Sequence, residues 1–130
     1  MVGFTGTRQG LTRDQRQALM ELLEGAIEAH HGDCIGADAE FHQLALLAGV
    51  PIVIHPPEDN KQRAFCVGEN VTMRRPKPYL VRNRDIVLAA TIVAATPKES
   101  VEPKPGRGQG TWSTIRFARK IGRELRVIWP

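Results

Sequence analysis

Three glycine-containing stretches carry residue types that suit the binding of an anion. They are Gly6-Thr7-Arg8, Gly32-Asp33-Cys34-Ile35-Gly36-Ala37-Asp38 and Gly106-Arg107-Gly108-Gln109-Gly110-Thr111. Each leaves an apolar run or leads into a helical pattern. Glycine lets the main chain close up on a ligand, and the following helix offers unpaired N–H groups and the positive end of its dipole. Backbone amides at Gly6, Thr7, Gly36, Gly108, Gly110 and Thr111 are expected to hold a phosphate or another anionic group, with Arg8 and Arg82 adding charge. Plainer roles stand beside these. Thr7 and Arg8 also suit a strand end, and Asp38 in a helical first turn favours the dipole without any ligand. Arg82 can pair with Asp85 or Asp38 as readily as with an anion.

Other reactive side chains are less suggestive. His30-His31-Gly32-Asp33-Cys34 contains metal-ligand types, but adjacent side chains on a strand point to opposite faces, which makes a poor chelate. No metal and no cofactor are expected. His42 reads as a helix-surface residue and His55 as a strand end before two prolines. Cys66 has no histidine at useful spacing. Trp112 suits either packing or stacking on a base, and Trp129 a core or interface position.

The chain has 130 residues, room for one domain with a real core, so residues 1–130 read as a single domain. It is 42% hydrophobic and 25% charged, with a net charge of +4. Basic residues cluster at Arg74, Arg75, Lys77, Arg82 and Arg84, and again from Arg107 to Arg126. Such an excess fits a phosphate pocket or a nucleic-acid surface, or simply a solvated face. No apolar run approaches the ~20 residues of a membrane helix. The N-terminus lacks a basic region followed by an apolar stretch, and two cysteines do not make a disulfide framework. A cytoplasmic location is expected.

These residues need elements to position them. Runs at Val2–Thr5, in the segment His30–Gly36 (a short strand running into a turn), at Val50–His55, at Thr91–Thr96 and at Leu125–Trp129 read as five strands. Thr12 and Gln15 form a capping box, opening a helix with Leu19, Leu22, Leu23, Ala26 and Ile27 on its buried face. Further helices are expected from Ala37 to Gly49, from Tyr79 to Ala90 and from Thr111 to Gly122. Residues 58–78 read as irregular or weakly helical, and 97–110 as a long Pro/Gly-rich loop, which makes it a functional suspect. Alternation of strand and helix predicts an α/β doubly wound parallel sheet, strand order 3-2-1-4-5, with helices on both faces and the three glycine loops meeting in one cleft.

Phe4-Thr5-Gly6-Thr7-Arg8 resembles the first-strand motif of the SLOG superfamily, the group around the Smf/DprA and LOG proteins. Gly32-Asp33-Cys34-Ile35-Gly36-Ala37-Asp38 is similar to its Gly-x-x-x-Gly-Ala-Asp motif, Arg82-Asn83 to its Arg-Asn pair, and Gly108-Gln109-Gly110-Thr111 to the LOG Gly-x-Gly-Thr loop. The resemblance implies a small stand-alone Rossmann-like domain that binds nucleotides or nucleotide-derived ligands. It adds Ala37 to the ligand-binding residues and implies that Asp38 or Asn83 reads hydroxyls or base edges. LOG enzymes carry a glutamate three residues after the loop threonine, where this chain has Thr114. A sensor, carrier or sequestering protein is therefore expected rather than an enzyme. The rivals are a LOG-like nucleotide N-glycosidase using Asp38, Glu99 or Glu102, a DprA-like single-stranded DNA-binding module, and an interaction protein with a degenerate pocket.

The resemblance, together with the width of the apolar faces, implies a homodimer or higher homo-oligomer. Light scattering at micromolar concentration is expected to return at least twice the single-chain mass.

Overall fold

The computed structural model describes residues 1–106 and 110–130. β1 (Val2–Gly6) buries Val2 and Phe4 and leads through Thr12 into α1 (Arg13–Leu23). The capping box is formed as expected. The Thr12 hydroxyl accepts from the Gln15 amide at 3.1 Å, and the Gln15 side-chain oxygen accepts from the Thr12 amide at 2.9 Å. The Gln15 NH2 group also donates to the Pro97 and Ile128 carbonyls, at 3.1 and 2.9 Å, tying α1 to chain far away in sequence. Leu19 and Leu23 are buried, but the helix stops at Leu23 and the chain turns at Gly25 with φ +77°. Ile27, expected on the buried face, is therefore exposed.

β2 (Ala29–His31) is short and fully buried, and α2 (Ala37–Leu47) buries Phe41, Leu44 and Ala45. It ends before Gly49, whose φ of +70° is the left-handed C′ conformation. β3 (Ile52–Ile54) follows. Residues 58–78 are not wholly irregular: they contain a 3-10 turn (Asn60–Gln62) and a strand, β4 (Val71–Met73). α3 (Tyr79–Ala89), β5 (Ile92–Thr96), α4 (Gly110–Lys120) and β6 (Glu124–Val127) complete the order.

All six strands are parallel, in the order β4-β3-β2-β1-β5-β6. The five expected strands lie as 3-2-1-4-5, and β4 extends the sheet beyond the third. Its register, Ile52 against Val71 and Ile54 against Met73, is held by main-chain pairing, which an exposed edge strand needs no hydrophobic pattern to achieve.

α1 and α2 pack Leu19, Leu23, Phe41, Leu44 and Ala45 against Val2, Phe4, Ile52, Ile54 and Ala94. α3 and α4 pack Val87, Ala90, Ala118, Trp112 and Ile115 against Val93 and Ala95. Since Ala94 joins the first group while Val93 and Ala95 join the second, β5 divides its side chains between two cores, one on each sheet face. This is a Rossmann-like doubly wound sheet.

Gly36 sits at φ +86°, ψ −126°, which only glycine adopts readily, and a Cβ there would lie 2.6 Å from Arg8 Cα. Gly36→Ala is expected to cost at least ~1–3 kcal/mol in urea unfolding. Gly25→Ala, at φ +77° with nothing within 4 Å of the new carbon, is expected to cost clearly less.

Candidate ligand-binding site

A cleft of about 640 Å³ opens at the carboxyl ends of β1, β2 and β5. This is where ligands collect in an open parallel sheet, beside the point at which strand order reverses. Gly6, Thr7 and Arg8 follow β1 into it; Gly32, Cys34 and Asp38 enter from the loop after β2 and the start of α2; Lys98 and Glu99 follow β5. Tyr79, Arg82 and Asn83 come from the first turns of α3, and Gly110, Thr111 and Trp112 from the first turn of α4. The first glycine loop thus meets Gly110 and Thr111, the described end of the third, and the first turns of α3 and α4 line the same space.

Two expected residues play another part. Gly36 does not line the cleft, and the Ala37 amide donates to the Thr7 carbonyl at 3.0 Å. The second glycine loop therefore locks the first in place. Gly108 lies outside the described residues. Trp112 is only 1% exposed, with its indole N–H on Glu99 Oε1 at 3.0 Å and its ring 5.8 Å from that of Trp129. It packs.

Arg82 is buried at 4% exposure, and its guanidinium is almost fully engaged. Nη1 donates to the Gly32 carbonyl and, at 3.0 Å, to the His55 carbonyl. Nε donates to Asn83 Oδ1 at 2.6 Å, and Nη2 to Cys34 Sγ at 3.4 Å. Asp38, 6% exposed, accepts the Gly32 and Cys34 amides on Oδ2 at 3.2 and 3.1 Å. Burial pushes its carboxyl up to about 6, although the positive charge of Arg82 and the two amides oppose the shift. Asp85 pairs with Lys77 at 2.6 Å, so Arg82 does not bind it.

The remaining charges are unevenly engaged. Asp38 and Asp59 accept main-chain amides and Glu99 accepts the Trp112 indole, so each acid of the cleft already has an N–H partner. Among the described residues no hydrogen bond or ion pair holds the side chains of Arg8, Lys61 or Lys98. The cleft offers free cations, and each of its carboxylates has one oxygen already accepting an N–H. Lys98 was open to inference, since it lies two residues past the end of a strand. Tyr79 was too, as the first residue of a helix. Lys61 had no signal, because the segment carrying it reaches the cleft through long-range contacts with residues 33–35, the Ile35 amide on the Gln62 carbonyl and the side chain of Asp33 among them. That carboxylate, fully buried, accepts Arg63 Nε and the Cys66 amide, each at 2.8 Å.

The Thr114 hydroxyl donates to the Gly110 carbonyl at 2.9 Å, and Thr114 lines a separate groove between α3 and α4. Glu102 pairs with Arg119 at 2.6 Å and does not line the cleft.

The histidines form two buried pairs, one on each side of β2. His42, expected on the surface, is fully buried. His31 accepts the Asp33 amide on Nδ1 at 3.0 Å, which leaves its proton on Nε2 to be donated to His42 Nδ1 at 2.8 Å. His42 Nε2 then donates to the Val67 carbonyl at 2.8 Å. Cys66 Sγ lies within 4.8 Å of both rings, so His31, His42 and Cys66 have the types and spacing of metal ligands. A metal on His31 Nε2 would require the proton on Nδ1, where the Asp33 amide already points. The hydrogen bonds therefore oppose ligation. Burial, with Asp33 alongside, pushes the Cys66 thiol up to about 12, and burial also raises that of Cys34, so neither is an activated nucleophile. On the other face, His30 bridges Glu28 Oε1 at 2.7 Å and His55 Nε2 at 2.8 Å.

No family model matches the chain, and no curated protein matches it. Two solved structures share its fold. The molybdenum cofactor binding protein of the phototrophic bacterium Rippkaea orientalis superposes with a TM-score of 0.70 at 17% identity, over 99% of this chain and 76% of its own. TM1055, a structural-genomics target, superposes with a TM-score of 0.65 at 16% identity, over 95% of this chain and 71% of its own. Likeness at that identity fixes the fold. No helix among the described residues is long and apolar enough to cross a membrane.

Burial drives His31 down to about 3 and His55 to about 4, against an ordinary value of 6.5. The stability these neutral rings confer is complete above pH 6.5 and is lost as pH falls toward those values. Asp38 acts oppositely: its folded carboxyl holds a proton up to about 6, so its contribution is present below 3.8 and lost as pH rises to 6. Burial lowers His30 as well, so between pH 4 and 6 the imidazoles outweigh the one carboxyl. Unfolding free energies from urea titration are expected to rise across that window, by about 1.4 kcal/mol per pH unit for each net proton. Asp38→Asn is expected to steepen the rise.

Proposed function

We propose that the chain binds a nucleotide or nucleotide-derived anion in the cleft at the carboxyl ends of β1, β2 and β5, and that it holds this ligand without turning it over. The observation that carries the reading is the meeting of two helix N-termini with Arg8, Lys61 and Lys98, free cations beside acids that already have partners. Such an arrangement favours negative charge whatever its source. The nucleotide character rests on the resemblance to the SLOG superfamily at Phe4–Arg8, Gly32–Asp38, Arg82-Asn83 and Gly108–Thr111. A cleft of about 640 Å³ lies within the ~300–1,000 Å³ usual for small-molecule sites and is larger than a lone phosphate needs. The molybdenum cofactor binding protein of the same fold supports a small ligand that is bound.

Within this reading Asp38 Oδ1, which no protein donor occupies among the described residues, is the acceptor for a ligand hydroxyl or amine. The Asn83 amide belongs to the same rim. Exposed Leu80, Val81 and Leu88 on α3 supply the apolar stripe through which copies of the chain would pair. An LOG-like hydrolase is disfavoured because Thr114 and Glu102 both lie away from the cleft.

Titration calorimetry with AMP, GMP, CMP and UMP is expected to detect binding that weakens with salt. Arg8→Ala is expected to weaken it several-fold while leaving the melting temperature in place, since that side chain has no partner to lose. Gly110→Val is expected to weaken it as well, by placing a branched side chain at the α4 N-terminus. Arg82→Ala is expected to lower stability along with binding. Release of free base at about 1 s⁻¹ or faster would replace the binding reading with the hydrolase.

A further inference from the structure

Resting on that reading, we infer that the ligand carries a planar heteroaromatic ring and that Tyr79 is the platform on which it stacks. Three aromatic side chains line the cleft among the described residues: Phe4, Tyr79 and Trp112. Phe4 is 1% exposed and stacked on Phe41 with centroids 4.3 Å apart, and Trp112 is buried between Glu99 and Trp129. Neither has a free face. Tyr79 is 36% exposed, so it is the aromatic surface the cleft has to offer.

The ring is also held in readiness. Arg82 Cζ lies 5.0 Å from the Tyr79 centroid, and that guanidinium is fixed by its bonds to the Gly32 and His55 carbonyls, Asn83 and Cys34. One side of the ring is thus backed by a group that cannot move away. Tyr79 opens α3 directly after Pro78, and the chain before it is anchored by the Lys77 amide on the Pro56 carbonyl at 3.2 Å and by the Lys77–Asp85 ion pair. Little freedom remains to be lost when a ligand ring settles on it. An aromatic face is sequence-tolerant, since every base has a π-face, so Tyr79 selects for the presence of a ring while the cations select for the anion. Tyr79 is a specificity residue in this scheme.

The test compares AMP, GMP, CMP and UMP with ribose 5-phosphate, which has the sugar and phosphate but no ring. Wild type is expected to bind at least one nucleotide about fivefold or more tightly than ribose 5-phosphate. Tyr79→Ala is expected to lose that preference and leave ribose 5-phosphate binding unchanged, while Tyr79→Phe retains it. Because the chain has one tyrosine, ring-labelled protein gives a single set of NMR signals, expected to shift with the nucleotide and not with ribose 5-phosphate. Equal binding of nucleotides and ribose 5-phosphate by wild type would overturn the stacking inference and spare the anion site. Equal losses for both ligands in Tyr79→Ala would overturn it too, by showing a structural role. Binding of none of these compounds would remove the proposed function and this inference together.

Discussion

A guanidinium withdrawn from water needs acceptors, and Arg82 finds them at the carboxyl ends of two neighbouring strands. The carbonyls of Gly32 and His55 follow β2 and β3, and both accept from the same Nη1. Gly32 has to be small for this, because a Cβ there would lie 2.5 Å from Nη1. A buried charge with incomplete partners costs several kcal/mol, so the loops around it are constrained to stay. α3 is fixed by the same contacts, and with it the positions of Tyr79 and Asn83 at the rim. The guanidinium is consequently held in place at the cleft by the protein's own acceptors.

β2 carries a second constraint. His30 and His31 are neighbours, so they face opposite sides of the sheet, and each requires a buried partner of its own. His55 answers one and His42 the other, both at 2.8 Å. The second chain runs from the Asp33 amide through two neutral rings to the Val67 carbonyl, with every donor and acceptor used once. A neutral network of this kind sets the strand register on both faces, and it couples folding to pH because protonation has no place within it. The same Asp33 that starts the network anchors Arg63 and Cys66, so the wall bearing Lys61 depends on it.

What the sequence made legible follows from which forces leave a periodic trace. Five strands, four helices and their order were readable because burial on two faces repeats with period 2 or 3.6, as at Val93-Ala94-Ala95 and Leu19/Leu23. β4 left no such trace, since Val71–Met73 is an edge held by its main chain. His42 was misread because a polar residue on a helix looks solvent-facing until a partner from another element is known. Cys66 looked isolated for the same reason: its neighbours are far away in sequence. In the cleft, Gly6, Thr7, Arg8, Asp38, Arg82, Asn83, Gly110 and Thr111 meet as the motifs suggested. Gly36 and Ala37 were legible as important but not as scaffold, because a glycine turn reads alike whether it approaches a ligand or another loop.

Holding an anion and cleaving a glycosidic bond place different demands on one cleft. Holding requires only positive ends and cations, which the helix N-termini, Arg8, Lys61 and Lys98 provide without fine orientation. Cleavage requires a carboxylate facing the sugar as positive charge develops there. Asp38 is the best-placed acid, yet Oδ2 already accepts two amides and its burial favours the protonated form up to about 6. Asp59 and Glu99 are tied to Lys61 and Trp112. Thr114, at the position the LOG pattern gives to glutamate, lines the groove between α3 and α4 and bonds within its own helix. The elements of binding survive any one of these arrangements, because each is a main-chain feature or an independent charge. The elements of cleavage do not, since they must converge on a single atom.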